Sequence, residues 1–201
     1  MATIIGITGG IGGGKSTLST VLSNAGYAIY NTDKEARRLQ NEDQNIRLQI
    51  VEKFGKEAYT NNILNRSFIA SLVFSNSELL KKMNAIVHPA VQEDFRKWRG
   101  LHETEKCIFL ECAILIEGNF RHYVDKIVLI TASEATRIAR VKKRDNLTVE
   151  QIKARMKNQR KDVDLIPFAD YVINTDITDL KQFDLEKFLG EILSLPLAAK
   201  F

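Results

Sequence analysis

The sequence of 201 residues is 44% hydrophobic and 27% charged, which supports one compact domain with a sizeable core and excludes a disordered chain. The net charge of +4 and a pI near 9.0 are mildly basic, and a pocket for a polyanionic nucleotide accounts for them without a nucleic-acid partner. No apolar run approaches the ~18 residues of a membrane span, and no leader-like segment opens the chain.

Thr3 to Thr8 is short, apolar and β-branched, and predicts a buried strand that runs into glycines. Lys15 to Ala25 predicts a helix with Gly26 as its C-terminal cap, and Ala28 to Tyr30 a second strand closing at Asn31, Thr32 and Asp33. Strand, helix, strand in this order implies a parallel sheet. From about residue 34 to residue 103 the pattern turns helical: Ile46, Ile50, Val51 and Phe54 share one face, as do Leu79, Met83, Ile86 and Val87. Pro89 is expected to stop that second helix near His88 and to open another. With no convincing strand, the stretch reads as a helical insertion in the sheet.

Cys107 to Leu110 and Lys126 to Thr131 predict further strands. Ser133 with Glu134 starts a helix, and Thr148 with Gln151 forms a capping box for the next. Tyr171 to Ile173 predicts a last short strand, and Leu185, Phe188, Leu189, Ile192 and Leu193 the apolar face of a C-terminal helix. The two cysteines, Cys107 and Cys112, suggest no disulfide framework, so a cytoplasmic protein is expected. His88, His102 and His122 lack metal-ligand spacing, and the acceptor-like Asn146-Leu147-Thr148 has no role in that compartment.

Gly9-Gly10-Ile11-Gly12-Gly13-Gly14-Lys15-Ser16 satisfies the pattern G-x-x-x-x-G-K-[ST] between a predicted strand and a helix. Glycines let the backbone turn and approach phosphates without a Cβ, and successive N–H groups with the helix dipole cradle the anion. Lys15 can reach the β- and γ-phosphates of ATP, and the Ser16 hydroxyl can ligate Mg²⁺. Gly12, Gly13 and Gly14 supply the cradle. Thr17 either touches a phosphate or packs in the first helical turn. Neither the D-x-x-G switch nor the N-K-x-D base reader of a GTPase occurs, and the chain is short for a motor. A small kinase fits better, with the insertion holding the acceptor and basic residues covering the phosphates.

The run Gly6 to Thr17 closely resembles the phosphate loop of dephospho-coenzyme A kinases, with Gly13 where that family usually has Ser. Asn31-Thr32-Asp33-Lys34-Glu35-Ala36-Arg37 resembles its D-A-D-x-x-A-R motif, keeping the last Asp and losing the first. Ile86-Val87-His88-Pro89 resembles the His-Pro signature, and Glu111 to Glu117 follows D-V-P-L-L-F-E in outline, departing at Glu111 and Ala113. Arg140 to Asp145 resembles the lid, Arg155 to Gln159 the helix after it, and Ala169 to Asn174 the strand near adenine. The resemblance runs along almost the whole chain in the family's order. It implies an α/β, three-layer P-loop kinase fold: one domain over 1–201 with a parallel sheet, a helical acceptor-binding insertion at about 34–103 and a lid at about 137–148.

It also implies roles. Asp33 becomes the base for the ribose 3′-hydroxyl of dephospho-coenzyme A; read from its position alone, Asp33 can equally be an N-cap. Glu111, at a strand end, either holds Mg²⁺ through water or is a solvated terminus. Arg140 and Arg144, four apart, either clamp phosphate charge or form a solvated face. His88 positions backbone or touches substrate, Arg66 and Lys81 meet the acceptor's phosphates, and Asn174 contacts adenine or closes its strand. A monomer or weak homo-oligomer is expected, with no nucleic acid and no membrane partner. Another small-metabolite or nucleotide kinase, and a nucleotide-binding regulator without transfer, remain the rival readings.

Overall fold

The computed structural model describes residues 1–73 and 76–196, which divide into two compact units. The first comprises Met1–Tyr30 and His102–Phe201; the second is Asn31–Leu101.

The first unit is built on a five-stranded sheet in the order β2-β5-β1-β6-β7. Its strands are β1 (Thr3–Thr8), β2 (Ile29–Asn31), β5 (Cys107–Glu111), β6 (Lys126–Thr131) and β7 (Tyr171–Asn174). β1 pairs in parallel with β5, Ile7 opposite Glu111, and with β6, Thr8 opposite Leu129; β6 pairs in parallel with β7, Thr131 opposite Asn174. Thr8, Glu111, Thr131 and Asn174 therefore all end at one edge of the sheet, where ligands bind in such folds. α1 (Lys15–Asn24) and α9 (Leu185–Ser194) cover one face. There Ile5, Ile7, Phe109, Val128 and Ile130 of the strands pack with Leu18, Leu22, Phe188 and Ile192. On the other face Gly6 leaves room for Leu115 and Val124, both fully buried. α6 (Glu134–Asp145), α7 (Val149–Lys157) and the single turn α8 (Asp162–Leu165) follow β6. α6 starts at the Ser133 cap and α7 carries the full Thr148–Gln151 capping box.

The second unit holds α2 (Thr32–Glu42), α3 (Gln44–Phe54), α4 (Arg66–Val73) and α5 (Ser77–Leu101). Buried Ile46, Ile50 and Phe54 line α3. Two expectations fail here. β3 (Tyr59–Thr60) and β4 (Ile63–Leu64) form a short antiparallel hairpin, so the unit is not strand-free. Its turn residues Asn61 and Asn62 both have positive φ, 50° and 66°, as a type I′ hairpin turn requires. The strands are too short to show alternation in the sequence. Pro89, in turn, does not end a helix but lies inside α5. A helical proline costs about 3 kcal/mol, whereas each buried apolar side chain contributes about 1.5–3 kcal/mol. Met83, Val87, Val91 and Phe95 keep a buried stripe running on both sides of Pro89, so packing outweighs the lost backbone hydrogen bond.

Candidate active site

The loop after β1 turns sharply enough to need glycine. Gly9, Gly12 and Gly14 have φ of 136°, 79° and 113°. A Cβ on Gly9 would also collide with the Ile130 carbonyl, and one on Gly12 with the backbone of Arg137. Gly14 is the N-cap of α1 and offers no side-chain cap, so the first amides of that helix stay open to an anion. Among the described residues the amides of Gly12, Gly14 and Ser16 donate to no protein group. Lys15 Nζ donates to the carbonyls of Gly9 at 2.7 Å and Gly10 at 3.2 Å, folding its charge over the loop.

Ser16 and Glu111 come together: Ser16 Oγ donates to Glu111 Oε1 at 3.1 Å. Glu111 is 6% exposed, so it is no solvated strand terminus. A hydroxyl and a carboxylate in contact beside a phosphate cradle are hard oxygen donors of the kind Mg²⁺ takes alongside waters and phosphate oxygens.

Arg140 reaches the same loop. Its Nη1 donates to Thr175 Oγ1 at 2.7 Å and to the Gly12 and Gly13 carbonyls at 3.4 Å, and its Nη2 to the Thr175 carbonyl at 3.0 Å. Thr175 Oγ1 lies 2.8 Å from the Gly13 carbonyl, to which it donates. A cleft of about 390 Å³ opens beside these groups, lined by Gly14, Thr17, Arg140, Thr175, Ile177 and Leu180 among others. Thr17 thus faces the cleft, while its N–H closes the first turn on Gly14. Asn174 stands next to Thr175 but uses its side-chain oxygen to accept from the Asp176 amide.

Arg144 is not brought to the loop. It pairs with its neighbour Asp145 at 2.7 and 2.9 Å, and this bond is the main cause that holds the Asp145 carboxyl below its usual range. In the segment 137–148, Arg137 and Val141 are buried, whereas Lys142, Lys143 and Arg144 are exposed.

The helical unit carries the remaining candidates. Asp33 is not the cap of α2. Asn31 caps it, its side chain accepting from the Lys34 amide, and Asp33 sits exposed in the first turn, its carboxylate making no hydrogen bond or ion pair among the described residues. Arg66 is held below its ordinary pKa, first by burial and then by the like charge of Arg37, which lies one turn after Asp33. His88 is half-buried, and burial lowers its pKa, favouring the neutral ring. Lys81 makes a surface pair with Glu78 at 2.8 Å and is 73% exposed.

Sequence reasoning missed Arg137, Gln159, Asp162 and Thr175. Arg137 Nε donates to the Ile11 carbonyl, and its Nη1 contacts Asp162 at 3.3 Å. Arg137 precedes Arg140 by one helical turn, a spacing that pointed to it. Gln159 reaches back 148 positions to Ile11, and no local pattern signals that.

A parallel sheet with a glycine cradle, a lysine and a hydroxyl–carboxylate pair at the carboxyl ends of its strands defines a P-loop kinase fold. The family model for dephospho-CoA kinase matches residues 3–180, and the chain belongs to that family. A dephospho-CoA kinase of Bacteroides fragilis is 38% identical over 176 residues, 88% of this chain and 86% of that protein. Among solved structures, a Thermus thermophilus protein superposes with a TM-score of 0.80 at 30% identity, covering 95% of this chain and 98% of that one. Dephospho-CoA kinase from Campylobacter jejuni superposes with a TM-score of 0.64 at 21% identity, covering 96% and 99%, and so shares the fold.

Proposed function

We propose that the protein transfers the γ-phosphoryl group of ATP to the ribose 3′-hydroxyl of dephospho-coenzyme A, giving ADP and coenzyme A. The family match over residues 3–180, with the phosphate loop intact inside it, carries this reading. The open amides of Gly12, Gly14 and Ser16 bind phosphate oxygens, and Lys15 moves from the loop carbonyls to the β- and γ-phosphates. The nucleoside lies along the cleft by Thr17, Thr175 and Asn174. Ser16 and Glu111 would hold Mg²⁺, which when bound would supply charge neutralisation at the phosphates.

Asp33 accepts the proton of the 3′-hydroxyl as that oxygen bonds to the γ-phosphorus and the bond to the ADP oxygen breaks. The transition state is loose, so positioning and charge matter more than the base. Arg140, tethered by Thr175 beside the Gly12 and Gly13 carbonyls, stabilises the transferring group. Arg66, which feels the like charge of Arg37, suits the acceptor's phosphates, since an anion there offsets that repulsion. His88, neutral, positions the acceptor rather than moving protons, and Lys81 and Arg144 add charge at the margins. Exclusion of water falls to the exposed part of 137–148, because Arg137 and Val141 anchor the rest. The protein works in the cytoplasm as a monomer or weak homo-oligomer on a small molecule, without nucleic acid.

The test is an acceptor screen with ATP and Mg²⁺, followed by ADP release and mass spectrometry of the product. Dephospho-coenzyme A should gain one phosphoryl group. Transfer only to other acceptors would make the protein a different small-molecule kinase, and ATP binding without transfer to any acceptor a regulator.

A further inference from the structure

Ile11, midway along the phosphate loop, has both of its backbone polar groups taken by distant side chains. Its N–H donates to Gln159 Oε1 at 2.8 Å, and its carbonyl accepts from Arg137 Nε at 2.9 Å. Arg137 is itself fixed. Its side chain is 10% exposed, it pairs with Asp162, and its guanidinium fills the space where a Cβ on Gly10 would stand. Gln159 follows α7 in a turn whose amides donate back to Arg155 and Met156. Neither side chain lines the cleft beside Thr17 and Thr175.

We propose that Gln159 and Arg137 are positioning residues for nucleotide binding, gripping Ile11 from both sides so that the following amides point into the cradle. The inference rests on the nucleotide-binding part of the proposed function and not on the acceptor. A loop held at Ile11 needs no reordering when phosphates arrive. Released there, it divides its time among arrangements, only some of which direct the amides of Gly12 and Gly14 inward, and apparent affinity falls by the competent fraction. Gln159 is uncharged, so its effect includes no charge–charge attraction to phosphate. It also ties the position of α7 to the loop, so displacement of that helix is felt as a change in ATP affinity.

The experiment uses the full chain. Hydrogen exchange at the Ile11 amide, without nucleotide, should be slow in the parent and at least tenfold faster in Gln159→Leu, which keeps the size and removes the acceptor. The Kd for ATP should rise about 3–10-fold, the shift that loss of one hydrogen bond gives such a population, with little change in melting temperature. Gln159→Asn, a methylene shorter, should behave in the same way. Fast exchange at Ile11 in the parent overturns the proposal. So does a Kd within twofold of the parent in a variant whose Ile11 amide has been freed. Transfer to dephospho-coenzyme A, assayed on the parent in parallel, reports on the acceptor alone and can fail while this inference stands.

Discussion

Ser16 Oγ donates to Glu111 Oε1 across 3.1 Å, joining the first turn of α1 to the carboxyl end of β5. The contact orients the hydroxyl of a first-turn serine, a side chain that would otherwise rotate freely. Glu111→Gln keeps the shape and removes the charge. Turnover at saturating Mg²⁺ should fall about 10–100-fold, the usual cost of a lost supporting ligand. The Mg²⁺ concentration for half-maximal rate should rise as well. A Mg²⁺ titration of both proteins checks this, and an unchanged midpoint would remove Glu111 from the metal's surroundings.

Arg140→Ala should slow turnover about 10²–10³-fold, as loss of one preorganised donor does, while the Kd for ATP rises less than tenfold. Isothermal titration with ATP alone, beside steady-state rates, separates the two effects. Thr175→Val removes the hydroxyl between Arg140 and the Gly13 carbonyl. It should cost about 0.5–1.5 kcal/mol of stability, since the Gly13 carbonyl keeps only its longer bond from Arg140, read as a lower urea midpoint.

Asp33→Asn should lower turnover about 10²–10⁴-fold, the range for loss of a general base, with ATP affinity unchanged. Because Asn31 caps α2, the substitution removes only a first-turn charge, and the helix dipole prices that at about 0.3–1 kcal/mol. Melting curves and rates together decide the matter. A fully active variant would return Asp33 to a merely favourable helix-start residue.

His88 gives a pH signature. Burial favours its neutral form, so the unfolded chain binds the proton more readily than the folded one. Stability from this group is complete above its ordinary value near 6.5 and is lost as pH falls from there through the lowered folded value. His88→Gln should therefore flatten the decline of the urea midpoint between pH 7 and pH 5 relative to the parent. An equal slope in both proteins would show that other groups carry it.

Much of this architecture is legible in the residues. β1 and β6 occupy the spans their β-branched runs predict, and the caps at Ser133 and Thr148 are local features that depend on two or three side chains. The glycine loop announces itself because only glycine fits its turns. What stays hidden is decided by distant partners. Pro89 reads as a stop until the buried stripe on both sides of it is seen, and the capping alternative for Asp33 falls only when Asn31 is found capping α2. Gln159 belongs to the loop only through a bond across most of the chain.

The strand order has a consequence for how the chain is made. β1 leaves the ribosome well before β5 and β6, yet it lies between them, paired with residues more than a hundred positions later. It must wait unpaired while Asn31–Leu101 is synthesised, at roughly 5–20 residues per second several seconds. The helices of that stretch pack on one another, α5 against α2 and α3 above all, and need nothing synthesised after Leu101, whereas the sheet closes late because its pairings span long loops. Ile4, Ile5 and Ile7 are thus exposed on a nascent strand until β5 and β6 follow. Chaperone capture of ribosome-bound chains should therefore rise after β1 emerges and fall once β6 has cleared the exit tunnel.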